Sequence, residues 1–164
     1  MSEFAKNTSV SVEKSRAEIE RTVQRYGAQG YMYATRDDMA VVQFEMEGRV
    51  IRFRLELPSP NDRVFTHTEK RGTARSDEQA FQAWEQACRQ RWRALLLVIK
   101  AKLEAVESGI SVFDEEFLAW IVGSDGCTLG ESLLPALEAA EVPSSSDLVD
   151  RLVGGGPLAL GAGR

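Results

Sequence analysis

Apolar residues recur at helical spacing from residue 9 to residue 26, at Val12, Ile19, Val23 and Tyr26, with Glu13, Lys14, Glu20, Arg21 and Gln24 opposite them. Gly27 is placed to stop the turn, so the pattern predicts an amphipathic helix over 9–27. The period then changes from about 3.6 to 2. Residues 30–35 read as a short strand, and a turn at Arg36-Asp37-Asp38 leads into residues 39–46. There Val42, Phe44 and Met46 share one face. Glu47-Gly48 makes a tight turn, and residues 49–57 alternate in the same way, with Ile51, Phe53, Leu55 and Leu57 on one side and Arg52, Arg54 and Glu56 on the other. Period-2 alternation on both sides of a glycine turn is a strong signal for an antiparallel hairpin. Pro58 and Pro60 end the third strand.

A polar connection over 58–75 is longer than most loops inside a compact domain. Ser76 followed three residues later by Gln79 forms a capping box, which opens a helix over 76–107. Its stripe is Phe81, Trp84, Cys88, Trp92, Leu95, Ile99, Leu103 and Val106, and Gly109 closes it. From Leu95 to Ile99 the apolar surface widens, which predicts burial on several sides. Two more capping signals, Ser111 to Asp114 and Thr128 to Glu131, predict short helices reaching about Val122 and Ala140, the second containing Pro135. The expected architecture is α+β. A three-stranded antiparallel sheet carries an N-terminal helix and a long helix on one face, and a small C-terminal helical unit follows. The expected divisions are a flexible 1–8, a core domain over 9–109, an acidic helical appendage over 110–153 with a linker at 142–146, and a disordered tail over 154–164.

Charge changes this picture. The chain is acidic overall, with net charge −5, yet residues 49–103 hold 12 Lys and Arg against 6 Asp and Glu. Residues 1–48 hold 6 against 8, and residues 104–164 hold 2 against 11. Such an asymmetry separates a possible anion-binding surface from an acidic remainder. Three places carry the positive charge: Arg52 and Arg54 on the polar face of the third strand, Lys70, Arg71 and Arg75 in the connection, and Arg89 with Arg93 at i,i+4 on the long helix. Guanidinium groups neutralise phosphate, and aromatic rings stack on unpaired bases. Tyr31 and Tyr33 would complete a single-strand-binding face if they share the arginines' side of the sheet. The bland alternatives are a solvated face with cross-strand pairs such as Arg54 with Glu45, an ordinary surface loop, and arginines that snorkel around a buried Trp92.

Catalytic and metal chemistry has little support in the residues. The one histidine, His67, lies in a threonine-rich loop, and a structural zinc site needs about four Cys or His ligands. No catalytic residue, metal or cofactor is expected. Cys88 and Cys127 read as two thiols in a reducing, cytoplasmic compartment, with a disulfide between them as the alternative. No basic-then-apolar leader and no apolar run of membrane-spanning length is visible. Trp84 and Trp120 are the candidates for a protein-interaction surface, against the simpler reading of core anchors.

Tyr26-Gly27-Ala28, the run from Phe44 to Phe53, and the segments from Arg89 to Leu95 and from Lys100 to Glu107 resemble short proteins encoded by bacteriophages and prophages, over roughly residues 10–110. The resemblance implies a setting, phage DNA metabolism or interference with the host, and no particular activity. The order helix, three antiparallel strands, long helix is also similar in topology to Rad52-like single-strand annealing proteins and to the double-stranded-RNA-binding domain, without either family's motif; such a likeness concerns fold alone. The expectation is a non-enzymatic nucleic-acid-binding protein, with single-stranded DNA favoured over duplex or RNA, and self-association through sheet edges. The rival is a phage interaction module that binds a host protein.

Overall fold

A computed structural model describes residues 8–69 and 71–140. The expected flexible N-terminus up to residue 7, Lys70, the linker at 142–146, the rest of the expected appendage over 147–153 and the tail lie outside the described residues. The order is α1 (Val12–Arg25), β1 (Gly30–Arg36), β2 (Met39–Met46), β3 (Arg49–Glu56), α2 (Arg63–Thr66), α3 (Asp77–Glu107), α4 (Phe113–Phe117), a 3-10 turn (Leu118–Trp120) and α5 (Leu129–Ala139). The fold is α+β, with a three-stranded antiparallel sheet in the order β1-β2-β3.

Local chemistry sets the ends of these elements. Ser11 caps α1 by accepting the Lys14 N–H at 3.2 Å. In α3, Ser76 and Gln79 cap each other reciprocally, which satisfies two backbone donors that a helix start leaves unpaired. Two-residue turns join the strands. Asp37 takes φ 52°, and Glu47 and Gly48 take 52° and 69°, the left-handed region that tight hairpins demand. These turns fix the register: Tyr33 pairs with Val42, and Val42 pairs with Phe53.

The sheet buries one face. Val42, Phe44 and Met46 of β2 and Ile51 and Phe53 of β3 meet Ile19 and Val23 of α1 and Trp92, Leu95, Leu96, Ile99 and Leu103 of α3. Burying side chains of this size contributes about 1.5–3 kcal/mol each. α3 is 31 residues long, roughly 46 Å, so it extends well beyond the sheet. Its ends are correspondingly exposed, and Phe81, expected in the buried stripe, is 54% exposed. Val98 likewise points outward, so burial around Leu95–Ile99 covers fewer sides than the composition suggests.

The C-terminal segment departs most from expectation. One compact unit extends to Ser132, and a second begins at Leu133. Residues 110–132, expected in an appendage, therefore belong with the sheet. The physical reason is Phe117, fully buried, which packs edge-on against Phe44 at 6.3 Å and Phe53 at 6.4 Å and stacks with Phe113 at 4.8 Å. The expected helix from Ser111 to about Val122 is correspondingly short, because the chain turns at Trp120 and runs beside β3. Ile121 bridges Ile51, and the Val122 N–H donates to the Val50 carbonyl at 2.8 Å. The chain then doubles back, with the Gly123 N–H on the Cys127 carbonyl at 2.7 Å and the Leu129 N–H on the Ile121 carbonyl at 2.8 Å. Thr128 and Glu131 form the expected capping box at the start of α5. Cys88 is buried, Cys127 is exposed, and the two are unpaired.

Candidate nucleic-acid interface

The strand arginines lie on the outer face of the sheet, as their alternation requires, and they are engaged there by the chain itself. Arg52 donates Nε to Gln43 Oε1 at 3.0 Å and Nη1 to the Gly126 carbonyl at 2.7 Å. Arg54 forms an ion pair with Glu131. Hydrogen bonds from Thr128, and then the charges of Arg54 and Arg52, hold the Glu131 carboxyl below the ordinary carboxylate range. The returning segment after Trp120 thus provides the partners for this pair of arginines.

The tyrosines do not join them. Directly opposite residues of an antiparallel pair share a face. Tyr31 pairs with Phe44 and Tyr33 with Val42, so both tyrosines are on the helix side. The Arg16 guanidinium sits 4.6 Å from the Tyr33 ring centre, and burial pushes the Tyr31 hydroxyl up to about 12. An arginine–aromatic mixture on the outer face is therefore ruled out by register. Arg54 is also not opposite Glu45: its neighbour on β2 is Val41, and Glu45 faces Val50.

Of the helix arginines, Arg89 and Arg93 are paired as well, whereas Arg91 is exposed and has no partner among the described residues. Arg89 donates to Gln86 Oε1 at 2.9 and 2.6 Å and pairs with Glu85 at 2.8 Å. Arg93 reaches Glu18 of α1 at 2.9 Å, and Lys100 bonds the other oxygen of the same carboxylate. Lys102 pairs with Glu116 at 2.9 Å, and Arg49 is held bidentately by Asp114 with both contacts at 3.1 Å. The acidic partners Glu18, Asp114, Glu116 and Glu131 all come from the segments flanking 49–103. Much of the charge asymmetry of the sequence is thus complementarity within the chain.

The connection between β3 and α3 differs in carrying together several cations that pair with no carboxylate among the described residues. Its described residues form a hairpin in which His67 bridges Ala74, the Thr68 N–H donates to the Thr73 carbonyl at 2.8 Å and the Gly72 N–H to the Thr68 carbonyl at 2.9 Å. Arg75 fastens its base, donating Nη1 to the carbonyls of Val64 and Phe65 at 2.8 and 2.9 Å. Arg75 is therefore held by neutral oxygens, and among the described residues no carboxylate pairs with it. Arg71, at the tip, is exposed and has no hydrogen bond or ion pair among the described residues; Arg63 of α2 is in the same condition. Apolar surface lies nearby. Val64 is 61% exposed, and Phe81 stands 5.6 Å from Trp84, whose indole N–H donates to the Pro58 carbonyl at 2.8 Å.

Trp84 and Trp120, nominated for protein contact, are half-buried and used within the fold. Trp120 stacks on Phe53 at 5.2 Å and receives Lys102 Nζ 4.1 Å from its ring centre. The sequence placed Phe81 in the buried stripe of α3 and assigned Arg63 no role. No signal in the sequence marks Arg63, because spacing does not show which arginines find partners on folding. Among the described residues, no group of three or more His, Cys, Asp or Glu could hold a metal ion, and no helix is long and apolar enough to cross a membrane. No protein-family model, curated protein or solved structure matches the chain.

Proposed function

We propose that this is a phage-encoded, cytoplasmic protein that binds single-stranded nucleic acid, DNA by preference, through the hairpin between β3 and α3. The observation that carries the reading is the contrast in charge compensation. Arg49, Arg52, Arg54, Arg89 and Arg93 are bonded within the chain, whereas among the described residues Arg63 and Arg71 are exposed without partners and no carboxylate compensates Arg75. Exposed Phe81 and Val64 supply apolar surface beside these cations, the combination that phosphates and unstacked bases require. Arg52, Arg54, Arg89 and Arg93 then act in the fold, and the site is narrower than the full basic segment.

The test is fluorescence anisotropy with labelled single-stranded DNA, duplex DNA and RNA at two salt concentrations. A hairpin with three or four cations gives a log–log salt slope of about −2 to −3 on a single strand. Arg63→Glu/Arg71→Glu lowers affinity at least tenfold, while Arg54→Glu changes it less. Absence of binding at low salt refutes the proposal. A protein-interaction role is the second reading, favoured by α5, where Leu133, Leu134 and Leu137 are 48%, 54% and 67% exposed. A stoichiometric host protein retained after nuclease treatment, together with no anisotropy change, would favour it.

A further inference from the structure

The two edges of the sheet are treated differently. The chain after Trp120 pairs with the start of the β3 edge, at Val50 and Ile51. Among the described residues nothing pairs with the outer edge of β1, a seven-residue strand exposed at every position except Tyr31. An open edge is a row of unpaired backbone donors and acceptors, and proteins usually blunt it with proline, lysine or a bulge. Gly30-Tyr31-Met32-Tyr33-Ala34-Thr35-Arg36 contains no proline or lysine, and its single charge is at the end.

We propose that β1 pairs antiparallel with β1 of a second copy of this chain, giving a two-fold dimer with a continuous six-stranded sheet. The register follows from the turn. A two-residue hairpin closes on Arg36 and Met39, so residues 36, 34, 32 and 30 exchange hydrogen bonds with β2. The main-chain groups of Tyr31, Tyr33 and Thr35 therefore point outward. Placing Tyr33 opposite Tyr33 of the second copy sets each Tyr31 opposite a Thr35. All three outward residues are then in hydrogen-bonded pairs, about six bonds in all. Sliding the strands by two residues either way loses one pair.

Side chains select the same register. On the outer face it sets Arg36 opposite Gly30 of the second copy. Gly30 has no side chain, and its neighbour on β2 is Glu45, whose Cβ lies 3.9 Å from where a Gly30 Cβ would stand. Arg36 and Glu45 are both exposed and form no ion pair among the described residues. Across the empty position the guanidinium of one copy meets the carboxylate of the other, and the two-fold makes this contact twice. Met32, 50% exposed, faces Ala34, and Tyr33, 48% exposed, faces its own copy beside Arg16. The occupant is thus matched in backbone hydrogen bonding, in charge and in side-chain volume.

Sedimentation velocity on the full chain from about 1 to 200 µM should show a monomer–dimer equilibrium. Arg36→Glu should weaken it by about tenfold or more, since it turns two attractions into two repulsions, and Arg36→Glu/Glu45→Arg should restore it. Both positions are on the surface, and circular dichroism checks the fold of each variant. In a Cys127→Ser background, Tyr33→Cys should cross-link under copper–phenanthroline, because hydrogen-bonded partners have Cα atoms about 5.5 Å apart, within disulfide reach. A monomer throughout that range overturns the proposal. So does a dimer indifferent to Arg36→Glu, or a folded Tyr33→Cys variant that dimerises without cross-linking.

Discussion

Replacing Phe117 by alanine tests whether the segment after α3 is part of the core or merely rests on it. The ring is fully buried and meets Phe44, Phe53 and Phe113 with centroids 4.8–6.4 Å apart. Removing a buried phenylalanine costs about 3–5 kcal/mol from lost transfer free energy and the cavity left behind. The edge-on contacts with Phe44 and Phe53 place the loss towards the upper end. For a chain of this size about 3 °C of Tm follows each kcal/mol, so the midpoint should fall by roughly 9–15 °C. Urea titration followed by tryptophan fluorescence and by far-ultraviolet dichroism gives the free energy directly. Both probes should shift together, because Trp92 and Trp120 belong to the same packed unit as the sheet. Phe113→Ala, at a half-buried position, should cost less. A loss below about 1 kcal/mol for Phe117→Ala, or a fluorescence transition that moves while dichroism does not, would refute the assignment of residues 110–132 to the core.

Other expectations follow from single groups. Lys100 and then Arg93 hold the Glu18 carboxyl below its ordinary value of 4.5. Its lowered folded-state value means that its contribution is full above about pH 4.5 and is lost as pH falls further. Glu18→Gln should cost about 1–2 kcal/mol at neutral pH, with the gap to the parent closing in thermal melts taken between pH 4.5 and 3. Ser15 is buried with its Oγ unpartnered among the described residues, so Ser15→Ala should raise stability by about 0.5–1.5 kcal/mol in a urea titration. Cys127 should react with a thiol reagent within minutes in the native state, whereas Cys88, whose thiol burial pushes up, should react only in denaturant; mass spectrometry of the labelled chain distinguishes them.

The parts of this fold governed by near neighbours were legible in the sequence. Ser76 with Gln79, Thr128 with Glu131, and the alternation through Phe44 and Phe53 all depend on residues a few positions apart. The positions of Tyr31 and Tyr33 were within reach too, since a two-residue turn at Asp37-Asp38 puts Tyr33 opposite Val42, already an inward residue. The placement of Phe117 was not legible. Its helix carries Asp114, Glu115 and Glu116, and nothing local says that one aromatic crosses to a sheet formed some sixty residues earlier. The same holds for the candidate interface. Arg54 and Glu131, or Arg93 and Glu18, meet only after folding, so spacing alone could not separate arginines with partners from those without. Arg63 and Arg71 stand out only after those pairings are known.

The segment beyond Trp120 has one more consequence, which concerns how far association can go. A sheet with two open edges can add copies indefinitely, each new subunit exposing a fresh edge, and this is the geometry of a fibre. Here the chain places Ile121 and Val122 beside the first residues of β3, at Val50 and Ile51, so a second copy cannot pair along the full length of that edge without displacing them. If two molecules join at β1, growth at the far side meets this obstacle. Loss of the Ile121–Val122 contact would then do more than destabilise the fold. It would free the start of β3 for pairing and favour longer assemblies.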